Sequence, residues 1–294
     1  MTSRQTYLGS LAAILAFSLW GVFPVYFKAV SDLPALEVLS HRVLWSAVLV
    51  GLLLMLSGHL KDVAAVFASG KLLALLVLSS LMITLNWLVF IWAVGNDMLL
   101  QTSLGYFINP LVSIALGVVF FKERLRRWQL VAVLIALIAV GNLVFQSGVL
   151  PWISLTVAFS FGFYGLLRKV AVVQAFAGLF VETLIVLPPV LAYLIYVDFQ
   201  GTGSFARVSL QMDGLLVLAG VMTATPLVLF AMAAKRLRLA SLGFFQYIAP
   251  TGHFLLAVLV YGETFTGADA LTFCMIWLAL AVYTLDSISA LRKK

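Results

Sequence analysis

Tyr106-Phe107-Ile108-Asn109-Pro110 opens an apolar stretch that runs on to Phe121-Lys122-Glu123-Arg124, and its reading decides the fold. A proline sits inside a hydrophobic segment long enough to cross a bilayer, and a charged cluster ends that segment abruptly. The pattern returns 140 residues later as Gln246-Tyr247-Ile248-Ala249-Pro250, followed by an apolar run to Tyr261-Gly262-Glu263-Thr264. Pro110 falls on Pro250 and Glu123 on Glu263 without a gap, and the same offset carries Met82 onto Met222 and Phe90 onto Phe230. Identity elsewhere over 81–125 is low, so the repeat rests on these anchors. Glu occurs only four times in the chain, which makes an aligned pair a poor accident. An internal repeat of this length governs every later step of the fold reading.

Apolar residues make up 64% of the 294-residue chain and charged residues 10%, where a soluble domain carries roughly 45–50% and about 25%. So little polar surface cannot cover a soluble core, and the class is a polytopic membrane protein. The single Cys274 excludes an intramolecular disulfide and a cysteine metal centre; within an apolar run it reads as a small packing residue. The net charge of +7 has no basic block beside a polar fold, so no nucleic-acid partner is expected.

Apolar runs of membrane-crossing length follow one another with short joints. They place ten helices near 7–28, 35–57, 72–94, 98–121, 128–146, 149–167, 175–197, 214–234, 240–261 and 268–288. The first is too long for a secretory h-region and reads as a transmembrane helix. Breaks fall at Ser31-Asp32-Leu33-Pro34, Gly58-His59, Gly95-Asn96-Asp97, Gln146-Ser147-Gly148, Asp198 to Asp213 and Gly262 to Gly267. With the N-terminus in the cytoplasm, the inside segments hold 15 of 18 Lys and Arg residues, Arg168 and Lys169 among them. The charge therefore records topology, with both termini cytoplasmic. A repeat of about 140 residues holds five helices. Five is odd, so the second copy enters from the opposite side, and residues 1–147 and 148–294 read as inverted halves. Inverted repeats around a midplane site are a recurring construction of secondary transporters. A weaker echo at offset 141 sets Trp20-Gly21-Val22-Phe23 with Lys28 on Phe161-Gly162-Phe163-Tyr164 with Lys169.

These paired halves resemble EamA repeats of the drug/metabolite transporter superfamily, and within it the RarD branch. The likeness is carried by Trp20-Gly21-Val22-Phe23-Pro24-Val25-Tyr26-Phe27-Lys28, by Glu37-Val38-Leu39-Ser40-His41-Arg42-Val43-Leu44-Trp45-Ser46 and by Leu85-Asn86-Trp87. It continues in Leu104-Gly105-Tyr106-Phe107-Ile108-Asn109-Pro110, in Ser160 to Lys169, in Glu182-Thr183-Leu184 and in Phe245-Gln246-Tyr247-Ile248-Ala249-Pro250-Thr251. Each motif is loose; their order and number over the whole chain make the match specific. The resemblance implies ten helices with cytoplasmic termini, a bacterial inner-membrane location, and export or exchange of small metabolites. Members of this branch are often labelled chloramphenicol-sensitivity permeases, which establishes no substrate.

Ionisable groups at membrane depth are costly and should face the bundle interior. Glu37, His41 and Trp45 recur at spacing four on one face of the second helix, with Arg42 one position round. His41 and Arg42 suit a substrate or proton site, and equally an interfacial cluster that orients the helix. Around Pro110, Tyr106, Asn109 and Ser113 share a face; their counterparts around Pro250 are Gln246, Ala249 and His253. A proline removes one helical hydrogen bond and leaves a carbonyl free, so these segments read as cavity walls or as packing kinks. Asn86 and Trp87, with Trp20 and Tyr164, are candidates for an aromatic lining. Glu182 aligns with His41 at offset 141 beside Arg42, so a Glu182–Arg42 pair across the interface of the halves is expected. Such a pair suits proton coupling or a substrate ammonium, and also a static ion pair.

No His-Glu-x-x-His, Walker A loop or nucleophile elbow occurs, and His41, His59 and His253 lie on different segments. No catalytic residue, metal or cofactor is expected, and transport powered by nucleotide hydrolysis in this chain is excluded. The expected function is a secondary transporter of small amphipathic organic metabolites working by alternating access. Its partners are the substrate, the lipid bilayer and protons as the candidate coupling ion; the oligomeric state is open, a monomer included. The alternatives are a membrane receptor or scaffold, for which the loops are short, and an enzyme on a lipid-linked substrate, for which paired carboxylates are missing.

Overall fold

The computed structural model describes residues 3–95, 99–147, 152–260 and 267–292, and among these every regular element is a helix. The first apolar run forms α1 (Ser3–Gly21) and α2 (Phe23–Ala29). There follow α3 (Ala35–Leu56), α4 (Leu60–Phe67), α5 (Gly70–Gly95), α6 (Leu99–Phe121), α7 (Arg127–Ser147), α8 (Trp152–Val170), α9 (Ala175–Phe199) and α10 (Leu210–Arg236). The chain ends with α11 (Leu239–Phe245), α12 (Ile248–Leu259) and α13 (Gly267–Arg292). Among the described residues six stretches are long and apolar enough to cross a membrane unaided: Arg4–Ala29, Ala35–Leu56, Gly70–Ala93, Trp152–Val170, Ala175–Phe199 and Leu210–Arg236. Shorter apolar helices run over Gly105–Phe121, Arg127–Asn142 and Ala270–Asp286. Large apolar side chains such as Leu52, Leu56, Leu85, Ile138 and Ile195 are left exposed, as lipid-facing residues are. The chain is a multi-pass membrane protein.

Four features differ from the sequence reading. The first run is broken at Val22, because Pro24 in the first turn of α2 has no N–H to give the carbonyl of Trp20. The ninth run is broken at Gln246-Tyr247, which places Pro250 in the first turn of α12, where a missing N–H costs nothing. Pro110, its counterpart, sits inside a continuous α6. The joint after the second run holds α4, which buries Val63 and Val66, exposes Lys61 and leaves Asp62 half-buried. The Asp198–Asp213 loop is also shorter than read. Helix α9 runs on to Phe199, and α10 starts at Leu210, where the Ser209 hydroxyl accepts from Met212 N at 3.1 Å as an N-cap. Glu263 lies outside the described residues.

The helices pack in matched pairs. Helix α1 packs on α10 as α8 packs on α5, α3 on α10 as α9 on α5, and α12 on α1 as α6 on α8. Helices α3 and α9, α6 and α11, and α7 and α13 also meet. Small residues let backbones approach: the Cβ missing from Gly252 would stand 2.9 Å from Gly21 Cα, and that missing from Gly220 would stand 2.5 Å from the Trp45 carbonyl carbon. At one end of the bundle, lysines from two helices complete each other's C-terminal carbonyls. Lys169 of α8 donates to Ala234 O and Leu237 O at the end of α10, and Lys235 of α10 donates to Ala171 O just beyond α8. Nearby, Glu123 accepts from Leu239 N, the first residue of α11, at 2.7 Å. At the opposite end the loop 200–209 folds back on α3, where buried Glu37 accepts from Ser204 N at 2.6 Å and from Ser204 Oγ at 3.0 Å.

Candidate functional site

Helices α1, α2, α3, α5, α6, α8 and α12, with the α11–α12 joint, enclose a cavity of about 600 Å³ measured to its walls and mouth. Only about 50 Å³ of it is open to the centre of a water molecule, so the walls stand close and an organic solute would have to part them. Its lining includes Trp20, Arg42, Asn86, Trp87, Tyr106, Asn109, Gln246 and His253 among apolar rings. These side chains reach one space because each lies on the inward phase of its helix. Arg42, one position round from His41, points inward, whereas the Glu37-His41-Trp45 face turns to the 200–209 loop.

Arg42 is buried, with Nε donating to Thr223 Oγ1 at 3.0 Å. Its guanidinium carbon lies 4.6 Å from the centre of the Trp87 ring and 5.3 Å from that of Phe27. Ion pairs among the described residues join Arg126 to Asp286, Arg168 to Glu182, Arg207 to Asp198 and Arg238 to Glu123, so Arg42 has no carboxylate partner among them.

The other polar groups are held in place by named partners. Asn86 spends its Nδ2 on Val157 O at 2.8 Å and Ser160 Oγ at 3.1 Å, and so offers the cavity an amide oxygen. Asn109 Oδ1 is buried without a hydrogen-bond partner. Gln246 Nε2 donates to Ser113 Oγ at 2.9 Å, tying α6 to the α11–α12 joint. His253 Nε2 lies 2.9 Å from Trp20 O, the carbonyl that Pro24 leaves without its helical donor. A chain of tilted rings, Phe27, Phe90, Tyr106 and His253, forms one wall at centroid spacings of 5.5 to 5.7 Å. Trp20 and Phe161, 5.4 Å apart, form the other. Among the described residues no three His, Cys, Asp or Glu side chains come together as a metal site.

Three of the candidates named from sequence lie elsewhere. His41 stacks on Phe205 of the loop at 5.2 Å, with Trp45 5.9 Å from the same ring, so this face docks the loop. Tyr164 is behind the cavity wall, stacked on Phe230 at 5.6 Å. Glu182 does not meet Arg42. It lies 3.6 Å from Arg168 and accepts from the Ser79 hydroxyl, with neither carboxylate nor guanidinium exposed. The reason is local: α8 and α9 are joined by four residues, so the end of one lies beside the start of the other. Gly178 makes the room, since a Cβ there would stand 2.1 Å from Arg168 Nη1. Arg168, counted from sequence as an interfacial topogenic charge, is thus a fully buried one. Among the described residues, only Trp87 borders both the cavity and the small void beside Glu182.

Phe27, Phe90 and Thr223 belong to the site and were not singled out as site residues from sequence. Phe90 had a signal, its repeat partner Phe230. Pro24 had one too, since a proline frees the carbonyl four residues earlier. Thr223 carries no mark in the sequence.

Comparison with known proteins gives a consistent result. Residues 7–145 match the model of the EamA-like transporter family. The chain is 47% identical over 295 residues to a protein of Salmonella typhi called Protein RarD, covering 100% of both chains. It is 44% identical to Protein RarD of Escherichia coli, covering 100% of this chain and 99% of the relative. It is 47% identical to an uncharacterized transporter of Vibrio cholerae, covering 96% and 93%. A crystal structure that is 19% identical superposes with a TM-score of 0.65 over 97% of this chain and 98% of the other, a likeness of fold alone.

Proposed function

The chain belongs to the RarD branch of the EamA-like transporter family, and on that premise we propose that it moves small amphipathic organic metabolites by alternating access. It is a membrane transporter. The finer reading is a secondary transporter that exports or exchanges its substrate, with protons as the candidate coupling ion. It would lie in the bacterial inner membrane with both termini in the cytoplasm, in keeping with the Lys and Arg distribution.

The halves 1–147 and 148–294 are read as five-helix inverted repeats that together make ten transmembrane helices. One observation carries this. Across a two-fold axis, if residue i of one copy touches j of the other, then j of the first touches i of the second. At offset 140 Tyr106 corresponds to Gln246 and Ser113 to His253. The contacts cross in that sense: Tyr106 meets His253, and Ser113 meets Gln246. Gly21 against Gly252 and Gly162 against Val112 form a second crossed set, at offsets 141 and 140. An inverted pair around one cavity has two near-equivalent ways to close, one toward each side of the membrane. The cavity at this crossing is the proposed substrate site, with Trp20, Arg42, Asn86, Trp87, Tyr106, Asn109, Gln246 and His253 as its working residues.

The direct test is transport by the purified chain in proteoliposomes against a panel of labelled amphipathic metabolites. Accumulation that needs no nucleotide and is lost in Asn109→Phe, which fills the cavity, supports the reading. Uptake that persists in a folded Asn109→Phe protein places the route elsewhere.

A further inference from the structure

The cavity holds a fixed positive charge and nothing described to balance it. Arg42 is buried there without a carboxylate partner among the described residues, and none of the fourteen lining residues is acidic. Its one side-chain hydrogen bond, to Thr223, aims the guanidinium, and the Trp87 and Phe27 rings hold it without neutralising it. The contrast with Arg168 sharpens the point. That arginine, equally buried, has Glu182 3.6 Å away. A buried cation at membrane depth is expensive, and when it faces a cavity the partner it lacks is expected to be the ligand.

We infer that the cavity takes a monoanionic organic acid, a carboxylate on a ring-bearing apolar body, with the carboxylate docked on Arg42. This deepens the transporter reading above and rests on it. The charge count selects the class. A monocarboxylate makes the occupied cavity neutral, whereas a phosphate ester, at about −1.5 to −2, overshoots a single arginine. A zwitterion also brings an ammonium, so the occupied cavity keeps a net positive charge, and no lining carboxylate is there to meet that ammonium. An amine places a second positive charge in a low-dielectric space, where repulsion is far stronger than in water. The planar guanidinium suits a carboxylate, which it can bind through two parallel N–H donors. The flanking rings accept the apolar body: Phe17, Phe90 and Phe161 offer edges and faces with no polar group to satisfy. Thr223 is the positioning residue of this site, acting on the ligand only through Arg42.

The test uses three probes of one skeleton and different charge: hydrocinnamate, phenylalanine and phenethylamine. Binding to the purified full chain in detergent is read by quenching of tryptophan fluorescence and by thermal shift. Hydrocinnamate is expected to bind about tenfold to a hundredfold more tightly than phenylalanine, the range expected for burying an ammonium whose donors find no counter-charge, and phenethylamine not measurably. Arg42→Gln should abolish that order and Arg42→Lys should keep it with weaker binding. Thr223→Ala, which keeps the charge and loosens its aim, should weaken both carboxylate probes, hydrocinnamate and phenylalanine. These variants separate loss of the site from loss of fold, which size-exclusion elution checks. If Asn109→Phe removes binding but the three probes bind alike or the amine binds best, the transport cavity stands and the anion inference falls. If binding survives Asn109→Phe in a folded protein, the cavity reading itself falls. Absence of any hydrocinnamate binding overturns the inference.

Discussion

Tyr106 of α6 meets His253 of α12 edge to face, 5.7 Å between ring centres, while Ser113, two turns further along α6, bonds Gln246 at 2.9 Å. The two contacts exchange corresponding positions of the repeat. They pin the two proline-bearing segments together at the cavity, and His253 extends the connection to α1 through the Trp20 carbonyl. Under the proposed alternating access, movement of one half against the other would have to alter this joint of three helices, held by two polar contacts and a ring edge.

Glu182 and Arg168 should behave as a structural pair. Glu182→Gln leaves a buried guanidinium without its counter-charge, and removing one partner of such a pair costs roughly 3–5 kcal/mol. Arg168→Gln added to Glu182→Gln should recover much of that loss, and Arg42→Gln added instead should recover none. Thermal unfolding in detergent reads the difference. Rescue by Arg42→Gln would mean that the pairing described above is wrong.

Glycines at the helix crossings should differ sharply. Gly220→Ala drives a methyl to 2.5 Å from the Trp45 backbone, while Gly21→Ala meets nothing nearer than 3.5 Å. The first should cost about 1–3 kcal/mol through overpacking; the second should be close to neutral. Equal melting temperatures for the two variants would count against the α3–α10 packing.

Glu37 should act as the latch of the 200–209 loop. Glu37→Ala removes the acceptor for both Ser204 donors, and hydrogen exchange across 202–208 should quicken about tenfold or more, as expected for loss of bonds to a charged group. Lys61→Ala, at an exposed position of α4, should leave that exchange unchanged. An unaltered rate in Glu37→Ala would remove the latch.

Much of this was legible in the chain before its structure. The spacing of Tyr106 and Asn109, and of Gln246 and His253, reads as two inward faces, and all four line one cavity. Arg42 follows His41 by one residue, which is enough to turn it from the loop to the cavity. Partner choice was not legible. The repeat sets Glu182 on His41, but corresponding positions need not touch, and the short α8–α9 joint brings Arg168 nearer. Nothing in periodicity marks Gly178 as the space for a guanidinium, or Phe205, in an irregular loop, as the ring beneath His41.

Topology is checked with single cysteines in a Cys274→Ala background. Gln200→Cys and Lys61→Cys, both exposed, should label from outside and inside the cell respectively with an impermeant maleimide. Labelling from the same side would leave no odd-helix inversion to relate the halves.

The most direct measurement is the accessibility of Asn109, which is 2% exposed at the crossing of the halves. Asn109→Cys in the Cys274→Ala background is labelled with an impermeant maleimide in right-side-out and in inverted vesicles. Alternating access requires slow labelling from both sides, with hydrocinnamate slowing both. Labelling from one side only, or from neither in a folded protein, would contradict a central cavity that opens in turn to each face.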